Sequence, residues 1–416
     1  MLLVSEVSQD RLILDDARIV DPVSGELSDE VTITIADGRI AAIGSAGEGE
    51  AGRRISLRGL VVLPGLIDCH VHVTACTADE ASLRSMSPAY VTAWAAQSLY
   101  QMLMRGFTTV RDATGADQGL AAAVSEGLFI GPRLLFCGPG LTQTGGHADH
   151  RGPSDHSPAA NSAYPSHAIV CDGEAEVRLA TREVLRSGAD HVKMMLSGGV
   201  ASPTDRVEST QFSMGEIRAA VEEADAADRY VLGHAYSARA VNRSLEAGVR
   251  SIEHGNLLDD SSIDLFLRHA AFLVPTLVTY RVLAEEGEQW GLPARSAAKV
   301  HDVLDSGLSS LQLADERGVQ IAFGTDLLGG MQRRQSEEFA IRGEVQTPLA
   351  VLRAATVTGA KLLRLEDEIG QVKEGFVADL IAVRGNPLED ARVLAEPAEN
   401  VQLVISRGAI VRSELT

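Results

Sequence analysis

Residues 63–73 read LPGLIDCHVHV: an apolar run that ends in two histidines, His70 and His72, one residue apart. In a β-strand, residues i and i+2 point to the same face. Both imidazoles then converge on one point, as ligands of a single metal ion must. The plainer alternative is an amphipathic edge strand with two exposed histidines. The rest of the chain decides between them, because a metal needs further ligands at matching places.

The chain has 416 residues, 45% of them hydrophobic, and a formal net charge of -20. That length suits one large domain plus a smaller one. The acidic balance offers no basic stripe, so neither nucleic acid nor an anionic membrane surface is expected as a partner. Four cysteines (Cys69, Cys76, Cys137 and Cys171) form no CxxC pair, and a disulfide framework is not expected. The first residues, MLLVSEVSQDRLILDDARIVDP, lack a basic segment followed by a sustained apolar one. No run of about 20 apolar residues appears. The expectation is a cytoplasmic protein without a signal peptide.

Working outward from the histidines, residues 11–63 and the C-terminal end both read as short β segments with glycine turns, including DPVSGE, ADGR and AGEGEAG. Between them, apolar strands alternate with helical stretches. The strand candidates are GLIDCHVHV, FTTVRDA, RLLFCG, ADHVKMML, YVLGHAY, VRSIEHG, FLVPTLV and VQIAFGTD. Repeated βα alternation predicts an α/β fold with a parallel sheet, and eight strands favour a closed (β/α)8 TIM barrel. No GxGxxG follows the first strand, which counts against a dinucleotide fold. The expected organisation is a barrel over 64–364 and a small β-sandwich domain composed of 1–63 plus 365–416.

In such a barrel the active groups sit at the C-terminal ends of strands. His70, His72, Lys193, His234, His254 and Asp326 all fall near such ends. Lysine and aspartate are seldom buried without partners. Six residues of metal-ligand or charged type at matching places argue for one shared metal centre.

These segments, PGLIDCHVHV, Lys193, His234, EHG with His254 and GTD with Asp326, resemble the amidohydrolase superfamily. LTQTGGHADHRGPSD, KMMLSGGVASPTD, GHAYS and FGTDLLGGMQRRQSEEF are similar to its prolidase-like branch, which hydrolyses Xaa-Pro dipeptides, N-acyl amino acids or related C-terminal amides. The resemblance implies two Zn2+ ions. His70, His72 and Asp326 hold the more buried one, and His234 and His254 the more exposed one. A carboxylated Lys193 and a hydroxide bridge them. It further implies Asp326 as proton shuttle and His147, in TQTGGHAD, as donor to the oxyanion. A surface loop histidine is the alternative for His147. Tyr236 is a candidate donor to the substrate carboxylate or oxyanion, with simple packing at the barrel rim as the alternative.

The function implied is hydrolysis of the amide bond to a C-terminal amino acid, foremost in Xaa-Pro dipeptides. The alternative is an amidase or carboxypeptidase for N-acyl or aryl-acyl amino acids, including ochratoxin-like amides; cyclic ureides come third. The partner expected is a small-molecule substrate, and relatives are often homo-oligomers. A scaffold protein of the same fold would show gaps among the six ligand positions, and none is missing.

Other residues read more plainly. His191 suits a hydrogen-bonded core histidine, and Cys69 faces away from the site. Arg111 and Asp112 suggest an ion pair on the rim. His150, His156 and His167 suggest solvated loop residues, and His269 and His301 helix-surface ones. Arg281 suggests a surface ion pair, and Arg333 and Arg334 a solvated loop or helix start.

Overall fold

The computed structural model describes residues 11–44, 51–83, 85–157, 164, 167–200 and 205–415. The expected leader-free start at residues 1–10, most of the AGEGEAG turn and the ASPT of the 193–205 motif lie outside these residues, as does the His301 side chain.

All eight candidate strands form. They are β1 (Leu66–Val71), β2 (Phe107–Asp112), β3 (Arg133–Leu135), β4 (Val192–Met195), β5 (Val231–Ser237), β6 (Ser251–Leu257), β7 (Phe272–Val274) and β8 (Gln320–Ile321). Every pairing among them is parallel. β1, β2 and β3 make one sheet. β4 to β8 run in sequence order through a second, which also takes in Gly140–Thr142 and Ala168–Val170. The last two are only three residues each, too short for any period to show. Backbone bonds link the sheets: Cys69 N donates to Phe323 O (2.7 Å), Asp326 N to His70 O (2.8 Å), and Asp190 N to Phe136 O (2.9 Å).

The strands are buried on both faces, and their near-continuous apolar sequences follow from that. Helices cover the outside. Pro88–Met104 begins with proline at its first position, where no N–H is needed, and buries Val91, Leu99 and Leu103. Met214–Asp225 opens with a reciprocal capping box between Ser213 and Glu216. Among the described residues no helix is long and apolar enough to cross a membrane.

The two ends of the chain share one sheet of eight strands. Its order runs Ala409–Ser413, Val401–Ser406, Leu380–Val383, Val61–Pro64, Leu12–Asp21, Glu26–Ala36, Arg39–Gly44, with Arg53–Ser56 also paired to Leu12–Asp21. Val61–Pro64 pairs antiparallel with Leu380–Val383, and residue 66 begins β1, so this sheet leads straight into the histidine strand. Leu14, Ile33, Val62, Leu380 and Ile405 form its separate apolar core.

Candidate metal centre and active site

His70 is the last but one residue of β1 and His72 lies just beyond its end, and the two rings meet edge to face. Their Nε2 atoms are 3.3 Å apart. Asp326 Oδ1 lies 3.3 Å from His70 Nε2 and 3.0 Å from His72 Nε2. Among the described residues, His70, His72 and Asp326 offer ligand atoms all within 4.8 Å of one another. Three ligand atoms of these types, so close together, could hold a metal ion. His254 from β6 follows, its Nδ1 3.9 Å from Asp326 Oδ2. Its ring centroid is 5.2 Å from that of His70 and 4.6 Å from that of His234 in β5. Lys193 of β4 is buried and lines the same cavity. Gly140 makes room for it: a Cβ there would stand 3.1 Å from Lys193 Cγ and 2.9 Å from Thr114 Cγ2.

The backbone is shaped for this convergence. His254 and Asp326 have φ of 77° and 54°, a region that side-chain-bearing residues rarely adopt. Such outliers persist where surrounding structure over-determines them, often at functional sites.

Electrostatics prepare the donors. Burial, reinforced by His147, His254 and Lys193, pushes His234 well below the ordinary histidine value; burial does the same to His254 against the opposing pull of Asp326, so both rings are neutral with lone pairs available. Burial pushes Asp326 upward, but His70, His72 and His254 outweigh it and hold the carboxylate ionised. Burial lowers Lys193, partly offset by Glu253 and Asp326. A lowered pKa raises the share of neutral amine, the form that reacts with carbon dioxide. The donor set therefore fits divalent cations.

Behind the ligands stands a second layer that the sequence did not reveal. Glu253 Oε2 is 2.6 Å from His70 Nδ1. Arg111 Nη2 donates to both Glu253 oxygens (2.9 and 3.0 Å), and Ser251 Oγ donates to one of them (2.7 Å). Burial pushes Glu253 up, but Arg111 and His70 draw it far below the carboxylate range. An ionised Glu253 accepts the Nδ1–H of His70 and leaves Nε2 as the ligand atom. His72 Nδ1 is 3.1 Å from Thr114 Oγ1, and its carbonyl accepts from Gln332 Nε2 (2.8 Å). His254 Nδ1 is 2.8 Å from Thr276 Oγ1.

His147 and Tyr236 both reach the cavity. The His147 ring stacks on His234 (centroids 4.2 Å apart, 17° between planes). The Tyr236 ring stacks on His254 at 5.1 Å, and its hydroxyl meets that of Tyr280 at 3.0 Å. The cavity they line measures about 50 Å³, room for ions and waters.

Several expectations are corrected. Arg111 and Asp112 form no rim ion pair. Arg111 is fully buried against Glu253, and Asp112 caps the amides of Val73 (2.8 Å) and Ala116 (3.0 Å). His167 is not solvated: it is buried, 2.9 Å from Thr74 Oγ1, with its ring stacked on His72. Only its loop setting was legible, and loops usually run through solvent. Other readings agree. His191 is a core residue 2.9 Å from Asp112 O, and Cys69 packs in the apolar core. Arg281 pairs with Glu344 at 3.0 Å, and His156 and His269 are exposed. Arg333 and Arg334 depart from the expected helix start: they end the short helix Gly329–Arg334, Arg333 exposed and paired with Glu286, Arg334 mostly buried between Glu285 and Glu337.

Parallel strands that deliver histidines and an aspartate to one point define an α/β enzyme with a possible His-His-Asp metal site. The chain matches the amidohydrolase family over residues 61–411 and belongs to it; it is a prolidase-like hydrolase acting on amide bonds. It is 42% identical to a prolidase crystallised with N-methylphosphonate-L-proline, with a TM-score of 0.95 over 97% of this chain and 100% of that one. A Xaa-Pro dipeptidase with methionine bound in its active site is 31% identical, with a TM-score of 0.87 over 97% of this chain and 100% of that one. Ochratoxinase of Aspergillus niger is 32% identical over 418 aligned positions, 95% of this chain and 86% of that protein.

Proposed function

We propose that this chain is a binuclear zinc hydrolase that cleaves the amide bond to a C-terminal amino acid, with Xaa-Pro dipeptides as substrates. The observation that carries the reading is the convergence of His70, His72 and Asp326, in a chain similar throughout to a prolidase crystallised with a phosphonate analogue of a prolyl substrate. The eight parallel strands are read as a closed (β/α)8 barrel, supported by the backbone bonds between β1 and the segment after β8. The eight-stranded terminal sheet is read as the second domain, over 1–63 and 365–416. Four buried free cysteines suit a reducing cytoplasm.

His70, His72 and Asp326 would hold one zinc, His234 and His254 the other, with carboxylated Lys193 between them. Zinc supplies Lewis acidity toward the scissile carbonyl and lowers the pKa of a water to about 7. The chain's own groups do the rest. Asp326, kept ionised by its histidine neighbours, takes a proton from the attacking water and hands it to the departing nitrogen. That delivery matters for proline, whose nitrogen leaves poorly unless protonated. His147 donates to the carbonyl oxygen as charge builds on it. Tyr236 and Tyr280 present paired hydroxyls for a substrate carboxylate.

A second reading rests on the likeness to ochratoxinase: amides of N-acyl or aryl-acyl amino acids. A panel of Xaa-Pro dipeptides, N-acetyl amino acids and ochratoxin A, assayed with the zinc-loaded protein, separates the two. Higher kcat/KM on Xaa-Pro is expected. A preference for N-acetyl-phenylalanine or ochratoxin would replace the first reading by the second, and no amide hydrolysis would remove both.

A further inference from the structure

His147 is held between His234, a proposed ligand, and a network of residues outside the proposed ligand set. The segment that follows β4 passes through Gly198 and Gly199. Gly199 N donates to Asp205 Oδ2 (3.2 Å), and Gly199 O accepts from Lys299 Nζ (3.0 Å). Lys299 lies on the helix Ala294–Glu316. Its ammonium also donates to Asp205 O (2.7 Å) and stands 3.5 Å from Asp205 Oδ1. Asp205 Oδ2 accepts from Gln211 Nε2 (3.1 Å), and Gln211 Oε1 accepts from His147 N (2.9 Å). The same Asp205 Oδ2 lies 3.7 Å from His147 Nδ1.

The ring has little freedom. One face stacks on His234 and the other abuts Gly199, where a Cβ would come within 2.2 Å of His147 Cε1. The Asp205 side chain is 3% exposed and that of His147 10%. A buried carboxylate costs stability unless cations and donors satisfy it, and such pairs are retained in some proteins because they fix one arrangement. Here the arrangement fixed is that of an imidazole at the reaction cavity.

We infer that Asp205 is a positioning residue for His147, and that Lys299 sets Asp205 from the helix that precedes β8. With Nδ1 turned to Asp205, the Nε2 edge of the ring is left for the carbonyl oxygen of the substrate. The inference rests on the proposed amide hydrolysis, in which His147 stabilises the oxyanion. Neither Asp205 nor Lys299 need touch the substrate for either to control turnover.

The test is a double-mutant cycle on the zinc-loaded full chain with a Xaa-Pro dipeptide. Asp205→Asn is expected to lower kcat about 10–100-fold while KM changes little. Affinity for a phosphonate dipeptide analogue, measured by calorimetry, should fall by a similar factor, with bound zinc unchanged. In a His147→Ala background the same change should add almost nothing. Lys299→Met, which removes no carboxylate, should reproduce a weaker form of the effect, so the idea stays open to refutation if the Asp205 variant misfolds. Full additivity with His147→Ala, or wild-type kcat in both variants, would overturn it. Should the wild-type protein hydrolyse no amide, the functional reading fails separately. Crystal structures of wild type and Lys299→Met then decide this inference: an unmoved His147 ring refutes it, and a displaced ring supports it.

Discussion

Glu253 stands directly behind His70, with its Oε2 2.6 Å from Nδ1 and its charge balanced by Arg111. The pair joins β6 to β1 across the interior and fixes which nitrogen of His70 faces the cavity. Each group depends on the next: an unpaired Glu253 or Arg111 at that depth would be a costly bare charge.

Glu253→Gln therefore has two expected effects. Zinc affinity falls about 10–100-fold, because His70 loses the charge that makes its Nε2 a strong donor. Folding stability falls by about 3–5 kcal/mol, because Arg111 is left uncompensated. Metal titration and urea denaturation measure the two separately. Unchanged zinc affinity would remove Glu253 from the metal site's support.

Metal removal is the broadest check. Dialysis against a chelator should lower kcat on the order of 10³-fold, several kcal/mol of lost transition-state stabilisation, and added zinc should restore it. Lys193→Met should leave about one zinc bound in place of two, by elemental analysis. Protein grown with labelled bicarbonate should give a carbamate carbon signal that the variant lacks. Full activity in the chelated protein would end the metallohydrolase reading.

Gly140→Ala tests the space given to Lys193. The added methyl meets Thr114 Cγ2, Lys193 Cγ and Met195 Cε at 2.9–3.3 Å. Overpacking of this kind costs about 1–3 kcal/mol. The expected outcome is a folded protein of lower Tm whose kcat drops more than its stability predicts. A Tm and kcat equal to wild type would mean that Lys193 has slack.

Acid sensitivity should trace in part to His191. Burial, reinforced by Arg111, lowers its pKa from 6.5 to about 3. The unfolded chain therefore binds a proton below about pH 6.5 that the folded protein refuses until about pH 3. Folding stability falls as pH drops through that window, by up to about 1.4 kcal/mol per pH unit for this residue. His191→Gln should flatten the slope of urea stability between pH 6.5 and 4. Parallel slopes for the two proteins would absolve it.

The legible part of the site is the part with a local pattern. His70 and His72 announce themselves by strand parity, and His234, His254 and Asp326 by their places after apolar runs. Glu253 was hidden because its partners, His70 and Arg111, lie on other strands, and nothing local says that β1, β2 and β6 converge. Arg111 and Asp112 misled for a related reason: neighbours in sequence on a strand point opposite ways and serve different partners. His167 sits in a loop, and only the fold shows that it returns over His72. The eight parallel strands were readable from βα alternation, while Gly140–Thr142 and Ala168–Val170 were too short to signal themselves. Asp205 and Lys299 are separated by most of the distance between β4 and β8, and no spacing rule joins them.

The antiparallel pairing of Val61–Pro64 with Leu380–Val383 also fixes the timetable of biosynthesis. At about 5–20 residues per second, the ribosome delivers the second strand roughly 15–60 s after the first. Throughout that wait Val61–Pro64 has Leu12–Asp21 on one edge, while its other edge lacks its native partner and is open to non-native pairing. Truncation before residue 380 should consequently yield aggregates rather than a smaller working enzyme.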